Sequence, residues 1–222
     1  MRNNNSSTID KIEMTTFRYP GLERQPLVMI NNLLTGSQKT LLFESILHLE
    51  RAFSSPGEQN LQQQSCVYLE LDSPLSEVPS DSALIKALNE LKQTITRLLP
   101  ALFSELELIP FTVPNIKFSI ANGRNGHYGL PHNDTCEGRY QLSLLYYLHK
   151  HPKPFEGGQL QLFSDDESSH MLDDTFAKAT ISPCDNTLLA FRSETFHGVT
   201  EVVSESDEFS DGRFVIIAFI GR

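Results

Sequence analysis

Three cysteines in 222 residues, Cys66, Cys136 and Cys184, are odd in number, widely spaced and without a C-x-x-C pair. That excludes both a disulfide framework and a cysteine zinc site, so free thiols in a reducing compartment are expected. Basic residues are also scarce: 18 Lys and Arg against 28 Asp and Glu give a formal charge of -10, with the cations scattered. A clustered positive surface is what phosphate binding needs, so a nucleic-acid partner is not expected. No apolar run approaches the roughly 20 residues of a membrane span, which argues against a membrane partner. The opening Met1-Arg-Asn-Asn-Asn-Ser-Ser-Thr8 has no apolar stretch of the secretory kind, so a cytoplasmic location is expected.

What is present is an ordinary globular balance, 39% hydrophobic and 21% charged, in a chain of one-domain size. Residues 1–15 are polar and read as a flexible N-terminus, and 16–222 as a single domain. Its first part, about 36–105, reads as a helical buttress. Pro26-Leu-Val-Met-Ile30 is a candidate first strand, and Ser37 a candidate cap for a helix reaching Phe53, with Leu41, Leu42, Ser45, Ile46 and Leu49 at helical spacing. A second helix is expected over Ser82–Leu98, where Leu84, Ala87, Leu88, Leu91, Ile95 and Leu99 form an apolar stripe, a packing face.

From about 113 to the end, period-two alternation and frequent turn residues predict strands. In Tyr140–Leu148, Tyr140, Leu142, Leu144, Tyr146 and Leu148 make an apolar face suited to the helices. Gln141, Ser143, Leu145 and Tyr147 then point inward. The last strand places Arg213, Val215, Ile217 and Phe219 on one face, so a charged head sits at the rim of an apolar wall. Glu156-Gly-Gly158 reads as a turn into Gln159–Phe163, with Leu160 and Leu162 on one face.

His132 and Asp134 stand two apart in Gly129-Leu-Pro-His-Asn-Asp-Thr135, so an extended strand projects both side chains from one face. His197, in Phe196-His-Gly-Val199, follows a buried-strand run, Thr187-Leu-Leu-Ala-Phe191, and Arg213 opens the final apolar strand. Two histidines and one aspartate are the ligand set that holds a mononuclear non-heme Fe(II) with positions left open. His127, His149, His151 and His170 have no partners at ligand spacing and read as structural or surface residues. Arg124, Tyr128 and Asn122, close to the metal motif, are candidates to face a substrate or pack a loop.

These blocks, with Tyr140-Gln-Leu-Ser-Leu-Leu-Tyr-Tyr-Leu148 and Glu156-Gly-Gly-Gln-Leu-Gln-Leu-Phe163, carry a family resemblance. From about Ile116 to Gly221 the chain resembles the Fe(II)- and 2-oxoglutarate-dependent dioxygenases of the prolyl 4-hydroxylase-like branch. The resemblance implies a mainly β fold, a double-stranded β-helix or jelly-roll core buttressed by the N-terminal helices. It places His132, Asp134 and His197 on the iron ligands, Arg213 and Tyr147 on the residues that hold the distal carboxylate of 2-oxoglutarate, and Leu160 on a pocket residue. It implies Fe(II), with 2-oxoglutarate and O2 as cosubstrates and ascorbate as a reductant. The implied reaction is hydroxylation of an unactivated C–H bond with release of succinate and CO2. A residue in a protein or peptide, prolyl above all, is the leading substrate, and a free amino acid or small natural product the alternative. Because Asp134 is kept, where related halogenases have a small residue, hydroxylation is favoured.

The acidic insert Ser204-Glu-Ser-Asp-Glu-Phe-Ser-Asp211 sets His197 and Arg213 farther apart than is usual in that branch, and Arg192 is the other basic residue that could take the carboxylate. A cupin-like binding or isomerising jelly roll is the reading from another class. It gives no reason for Arg213 and Tyr147 beside the metal set. The acidic stretches Asp165-Asp-Glu167 and Asp173-Asp174 fall in expected loops, where specificity is usually built. Oligomeric state is not encoded.

Overall fold

The computed structural model describes residues 13–53, 66–70, 82–112, 116–164 and 176–221. Two strands, β1 (Glu13–Phe17) and β2 (Leu27–Asn31), precede helix α1 (Gly36–Leu47). A short 3-10 turn, Glu50–Ala52, follows it, then β3 (Cys66–Glu70) and helix α2 (Ser82–Glu105). Among the described residues the remaining elements are a 3-10 turn at Phe209–Asp211 and the strands β4 (Lys117–Gly123), β5 (Gly129–His132), β6 (Tyr140–Leu148), β7 (Glu156–Gly157), β8 (Leu160–Phe163), β9 (Ala179–Ile181), β10 (Thr187–Arg192), β11 (Phe196–Val199), β12 (Val202–Val203) and β13 (Arg213–Gly221). Residues 13–15 of the stretch expected to fray belong to β1, which pairs antiparallel with β2. The remainder of that stretch, His170 and the acidic stretches 165–167 and 173–174 lie outside the described residues.

Helix α1 begins two residues earlier than its sequence suggests. Thr35, not Ser37, is the cap: its hydroxyl accepts from the Gln38 amide while the Gln38 side chain accepts from the Thr35 amide. This reciprocal pair satisfies two otherwise orphaned donors. The helix stops at Leu47 with His48 as its C-cap, and the apolar residues beyond it continue in the 3-10 turn. Helix α2 runs seven residues past Leu98, through Pro100. Proline removes one helical hydrogen bond, but Leu102, Phe103 and Leu106 beyond it are buried, and that burial holds the extra turns in place.

Seven strands form one sheet in the order β1-β2-β10-β6-β13-β4-β3, and four form a second, β5-β11-β8-β9. β12 and β7 pair separately. Alternation along β6 decides what lies on each side of the large sheet. Leu142, Leu144, Tyr146 and Leu148 pack with Leu42, Ile46, Leu91 and Ile95 of the helices, as their spacing predicts. Leu145 and Tyr147 instead join Leu160, Leu162, Phe191 and Val215 between the two sheets. The site lies in this second, smaller apolar layer.

Candidate metal centre and its pocket

Strands β5 and β11 pair antiparallel, and His132 and His197 are direct partners in that register. Their rings therefore stand side by side, with centroids 4.4 Å apart. Asp134 arrives differently from the strand picture. β5 ends at His132, and Asp134 sits in the following loop, its amide donating to the Ser193 carbonyl at 2.8 Å. Asp134 Oδ2 accepts from the Ser143 hydroxyl at 2.7 Å, and Ser143 Oγ lies 2.9 Å from Ser193 Oγ. Two serines from β6 and the end of β10 thus aim the carboxylate. Asp134 Oδ1 lies 3.5 Å from His132 Nε2, and Oδ2 3.5 Å from His197 Nε2.

Both imidazoles are oriented by the backbone. His132 Nδ1 lies 2.7 Å from the Leu130 carbonyl, and His197 Nδ1 3.0 Å from the Thr195 carbonyl. A carbonyl only accepts, so each Nδ1 carries a hydrogen and each Nε2 is the atom turned toward Asp134. This is how metal-ligating histidines are ordinarily fixed. The edge-on Phe191 ring, 4.8 Å from that of His197, packs the second imidazole.

The three groups perturb one another's ionisation. Burial pulls the His197 pKa down, against the opposing Asp134 charge, and so keeps the ring neutral. Burial acts the same way on His132, but its hydrogen bond to Asp134 and the Leu130 carbonyl outweigh it and the pKa rises. Burial would raise the Asp134 pKa, yet the neighbouring His197 and His132 and the Ser143 bond hold it below the usual carboxylate value. One ionised carboxylate and two aimed nitrogens, with ligand atoms within 4.8 Å of one another, fit a facial two-histidine, one-carboxylate metal set.

The cavity beside this group is lined by Leu145, Leu160, Val199, Val215 and Ile217, with Arg213 in the same wall. Arg213, at the start of β13, is only 5% exposed. Its guanidinium lies over the Tyr147 ring, 4.9 Å from the centroid, and one terminal nitrogen donates to the Tyr147 hydroxyl at 3.3 Å. Arg213 Nε is buried without a hydrogen-bond partner. A buried guanidinium with a donor unspent is costly by itself, and a carboxylate placed against it would meet that need. Tyr147 is wholly buried; burial raises its pKa, against the opposing Arg213 charge, so it stays a neutral hydroxyl.

Leu160 lines the cavity wall, whereas Leu162, buried on the same strand, does not. Arg192 is elsewhere: its Nε pairs with Glu194 at 2.8 Å, so the acidic insert has not displaced Arg213 from the pocket. His127 and Tyr128 line the cavity, and the His127 ring also accepts from the Arg124 amide at 3.0 Å. Asn122 does not line it, because it faces the helices on β4 and donates to the Phe209 carbonyl at 2.9 Å. Arg124 reaches the insert instead, bonding the Asp207 carbonyl at 3.3 Å.

Sequence reasoning did not pick out Ser143 and Ser193, whose roles depend on contacts between strands. Nor did it see why Gly158 matters. At φ +62 its missing side chain leaves room for Arg213, since a Cβ there would lie 2.5 Å from Arg213 Cδ.

Comparison with known proteins shows what these features are similar to. Residues 117–221 match the family model of the 2OG-Fe(II) oxygenase superfamily, which covers every strand from β4 to β13. An uncharacterized PKHD-type hydroxylase of Synechocystis sp. is 31% identical over 149 residues, 66% of this chain, which spans 47% of that protein's length. A prolyl hydroxylase from Trichoplax adhaerens, solved in complex with a hypoxia inducible factor oxygen degradation domain peptide fragment, is 19% identical with a TM-score of 0.64. That alignment covers 88% of this chain and 83% of that one. A Pseudomonas putida prolyl-4-hydroxylase is 18% identical with a TM-score of 0.61, over 88% of this chain and 92% of that one. The resemblance read from the sequence is borne out, and so is the expected fold class, a jelly-roll core with helices on one face.

Proposed function

We propose that this chain is an Fe(II)- and 2-oxoglutarate-dependent oxygenase that hydroxylates an unactivated C–H bond, most plainly that of a prolyl or other residue in a protein or peptide, releasing succinate and CO2. Residues 16–222 act in this reading as one domain. The observation that carries it is a pairing within one cavity: the His132, Asp134 and His197 group faces the same space as a buried Arg213 with an unspent Nε donor. A cupin-like binding protein has no use for the second half of that pair.

In this reading His132 Nε2, His197 Nε2 and one Asp134 oxygen hold the iron, which when bound supplies the activation of O2. Arg213 and Tyr147 bind the distal carboxylate of 2-oxoglutarate, the guanidinium by charge-assisted donation and the tyrosine hydroxyl by one further bond. Leu145, Leu160 and Val215 cover its carbon chain and keep water from the reacting end. Ser143 and Ser193 hold Asp134 so that its oxygens stay aimed at the histidines. Tyr128, Val199 and Ile217 lie on the same cavity and supply apolar surface for the substrate. A peptide substrate agrees with the complex of the Trichoplax relative. Ascorbate in a reducing cytoplasm suits the ferrous state. No helix among the described residues is long and apolar enough to cross a membrane.

The test is turnover of the iron-loaded chain with 2-oxoglutarate, following succinate, while a peptide library and free amino acids are screened for a mass gain of one oxygen. Oxygen gain on peptides alone supports the proposal. Gain on amino acids alone reassigns the substrate, and absence of iron-dependent succinate with every candidate overturns the reaction itself.

A further inference from the structure

Two histidines without ligand spacing in the sequence meet in space. β6 ends at Leu148 and the chain turns through His149, Lys150 and His151. Against it lies the turn that leads into β10, tied on by the Asn186 amide, which donates to the Tyr147 carbonyl at 2.9 Å. Within that turn Asp185 Oδ1 accepts from the His149 amide at 3.0 Å, and Oδ2 bonds His151 Nε2 at 2.8 Å. Ligand atoms of His149, His151 and Asp185 all lie within 4.8 Å of one another.

The His149 ring is fixed as the two catalytic-site imidazoles are. Its Nδ1 lies 2.7 Å from the Lys150 carbonyl, so the hydrogen is there and the lone pair is on Nε2. Phe155 packs edge-on against this ring at 5.6 Å, and His151 faces it at 5.2 Å. The ring is 4% exposed while the His151 side chain is largely in solvent, so one ligand is held and the other is free to swing. A cation already sits at the carboxylate: Lys39 of α1 places Nζ 2.7 Å from Asp185 Oδ2. A lysine on a flexible stem can be displaced by a divalent ion that gains two imidazole bonds besides.

We propose that His149, His151 and Asp185 form a second metal site, for a divalent transition ion of the zinc type, with Lys39 as its resident competitor. Two imidazoles and one carboxylate, completed by water, are an accepted four-coordinate set for zinc, whereas magnesium and calcium prefer oxygen ligands alone. The site shares no residue with the His132 group. Metal entry cross-links the turn after β6 to the turn before β10 and releases α1 from its Lys39 tether.

Zinc titrated calorimetrically into the full chain should show two equivalents, and one in His151→Ala, whose exposed ring makes the substitution mild. A His132→Ala, His197→Ala chain should keep one equivalent, and adding Asp185→Asn should remove it. Lys39→Met should tighten this equivalent roughly ten-fold, because a cation at the ligand oxygen is gone. In the unaltered chain, the His149 and His151 ring signals should shift in NMR as the second equivalent binds, a readout independent of any variant's folding. Magnesium should not reproduce the shift. A single equivalent in the unaltered chain overturns the proposal, and so does a second one that survives both His151→Ala and Asp185→Asn. Unchanged affinity in Lys39→Met removes the competitor role.

Discussion

Gly158 and Arg213 approach closely: the space a side chain at 158 would need is the space that the arginine's aliphatic stem occupies. The glycine precedes β8 with φ at +62 and the arginine opens β13, so the fit joins segments 55 positions apart in the chain (213 − 158). Because Arg213 is buried over Tyr147, it has little room to retreat.

Gly158→Ala is therefore expected to weaken 2-oxoglutarate binding while leaving metal affinity close to that of the unaltered chain. The backbone strain of a non-glycine residue in the left-handed region adds about 1 kcal/mol of destabilisation. Thermal unfolding reads the second effect and a 2-oxoglutarate titration the first. An unchanged 2-oxoglutarate requirement would show that Arg213 moves aside freely.

His132→Ala, Asp134→Ala and His197→Ala each remove one of the three proposed ligands and should each abolish Fe(II) or Mn(II) binding at that site without unfolding the chain. Ser143→Ala is the finer test. It removes one hydrogen bond to Asp134 and should lower metal affinity roughly 10- to 100-fold rather than abolish it. Anaerobic calorimetry distinguishes the two sizes of effect, and full affinity in Ser143→Ala would place the aiming of Asp134 in its backbone bond to Ser193.

Arg213→Ala should leave metal affinity nearly intact and raise the 2-oxoglutarate requirement, by roughly 2–4 kcal/mol, about thirty-fold to a thousand-fold. Tyr147→Phe loses one hydrogen bond and keeps the ring under the guanidinium, for a cost on the order of 1 kcal/mol. Arg213→Lys should recover part of the loss as a point charge, and Arg213→Gln none. If Arg213→Ala retained the ordinary 2-oxoglutarate dependence, the pocket assignment would fail.

The insert before β13 should be sensitive to acid. Lys150 lies 2.5 Å from Asp211 Oδ1 and Ser206 donates to Oδ2 at 2.7 Å, and these two bonds, Lys150 first, hold the Asp211 pKa below its usual value. A depressed carboxylate pKa contributes stability above the unfolded value, about 3.9, and loses it as pH falls through the lower folded value. Backbone NMR signals of 206–211 should thus move below about pH 4 ahead of the β6 signals, and Asp211→Asn should remove the transition. Signals that move only with global unfolding would show that Phe209, buried against Phe53 and Phe214, anchors the insert unaided.

Much of the site was legible because strand alternation is a local rule. Reading Tyr140–Leu148 as two faces put Tyr147 inside and Tyr146 against the helices, and both lie there. The same rule set Arg213 on one wall with Val215 and Ile217. Asp134 shows where the rule stops. Its two-residue spacing from His132 suggested a shared strand face, but β5 ends at His132 and contacts from Ser143 and Ser193 aim the carboxylate. Those serines are ordinary residues in their own segments, and only the pairing of β6 with β10 brings them together.

By itself the chain determined which residues carry the chemistry-bearing groups, since residue type and local periodicity are written along it. Its three widely spaced cysteines and its net charge of -10 are written there as well. Tertiary structure decided what those groups meet. Two histidines 65 positions apart (197 − 132) became neighbours through the β5–β11 register, and His149, His151 and Asp185 converged because two turns at the ends of β6 and β10 were brought side by side. The missing side chain at 158 came to matter only when β13 carried Arg213 against it. Such contacts depend on register and on which sheet edges close, and a hydrophobic pattern of period two is the same whichever distant strand it pairs with.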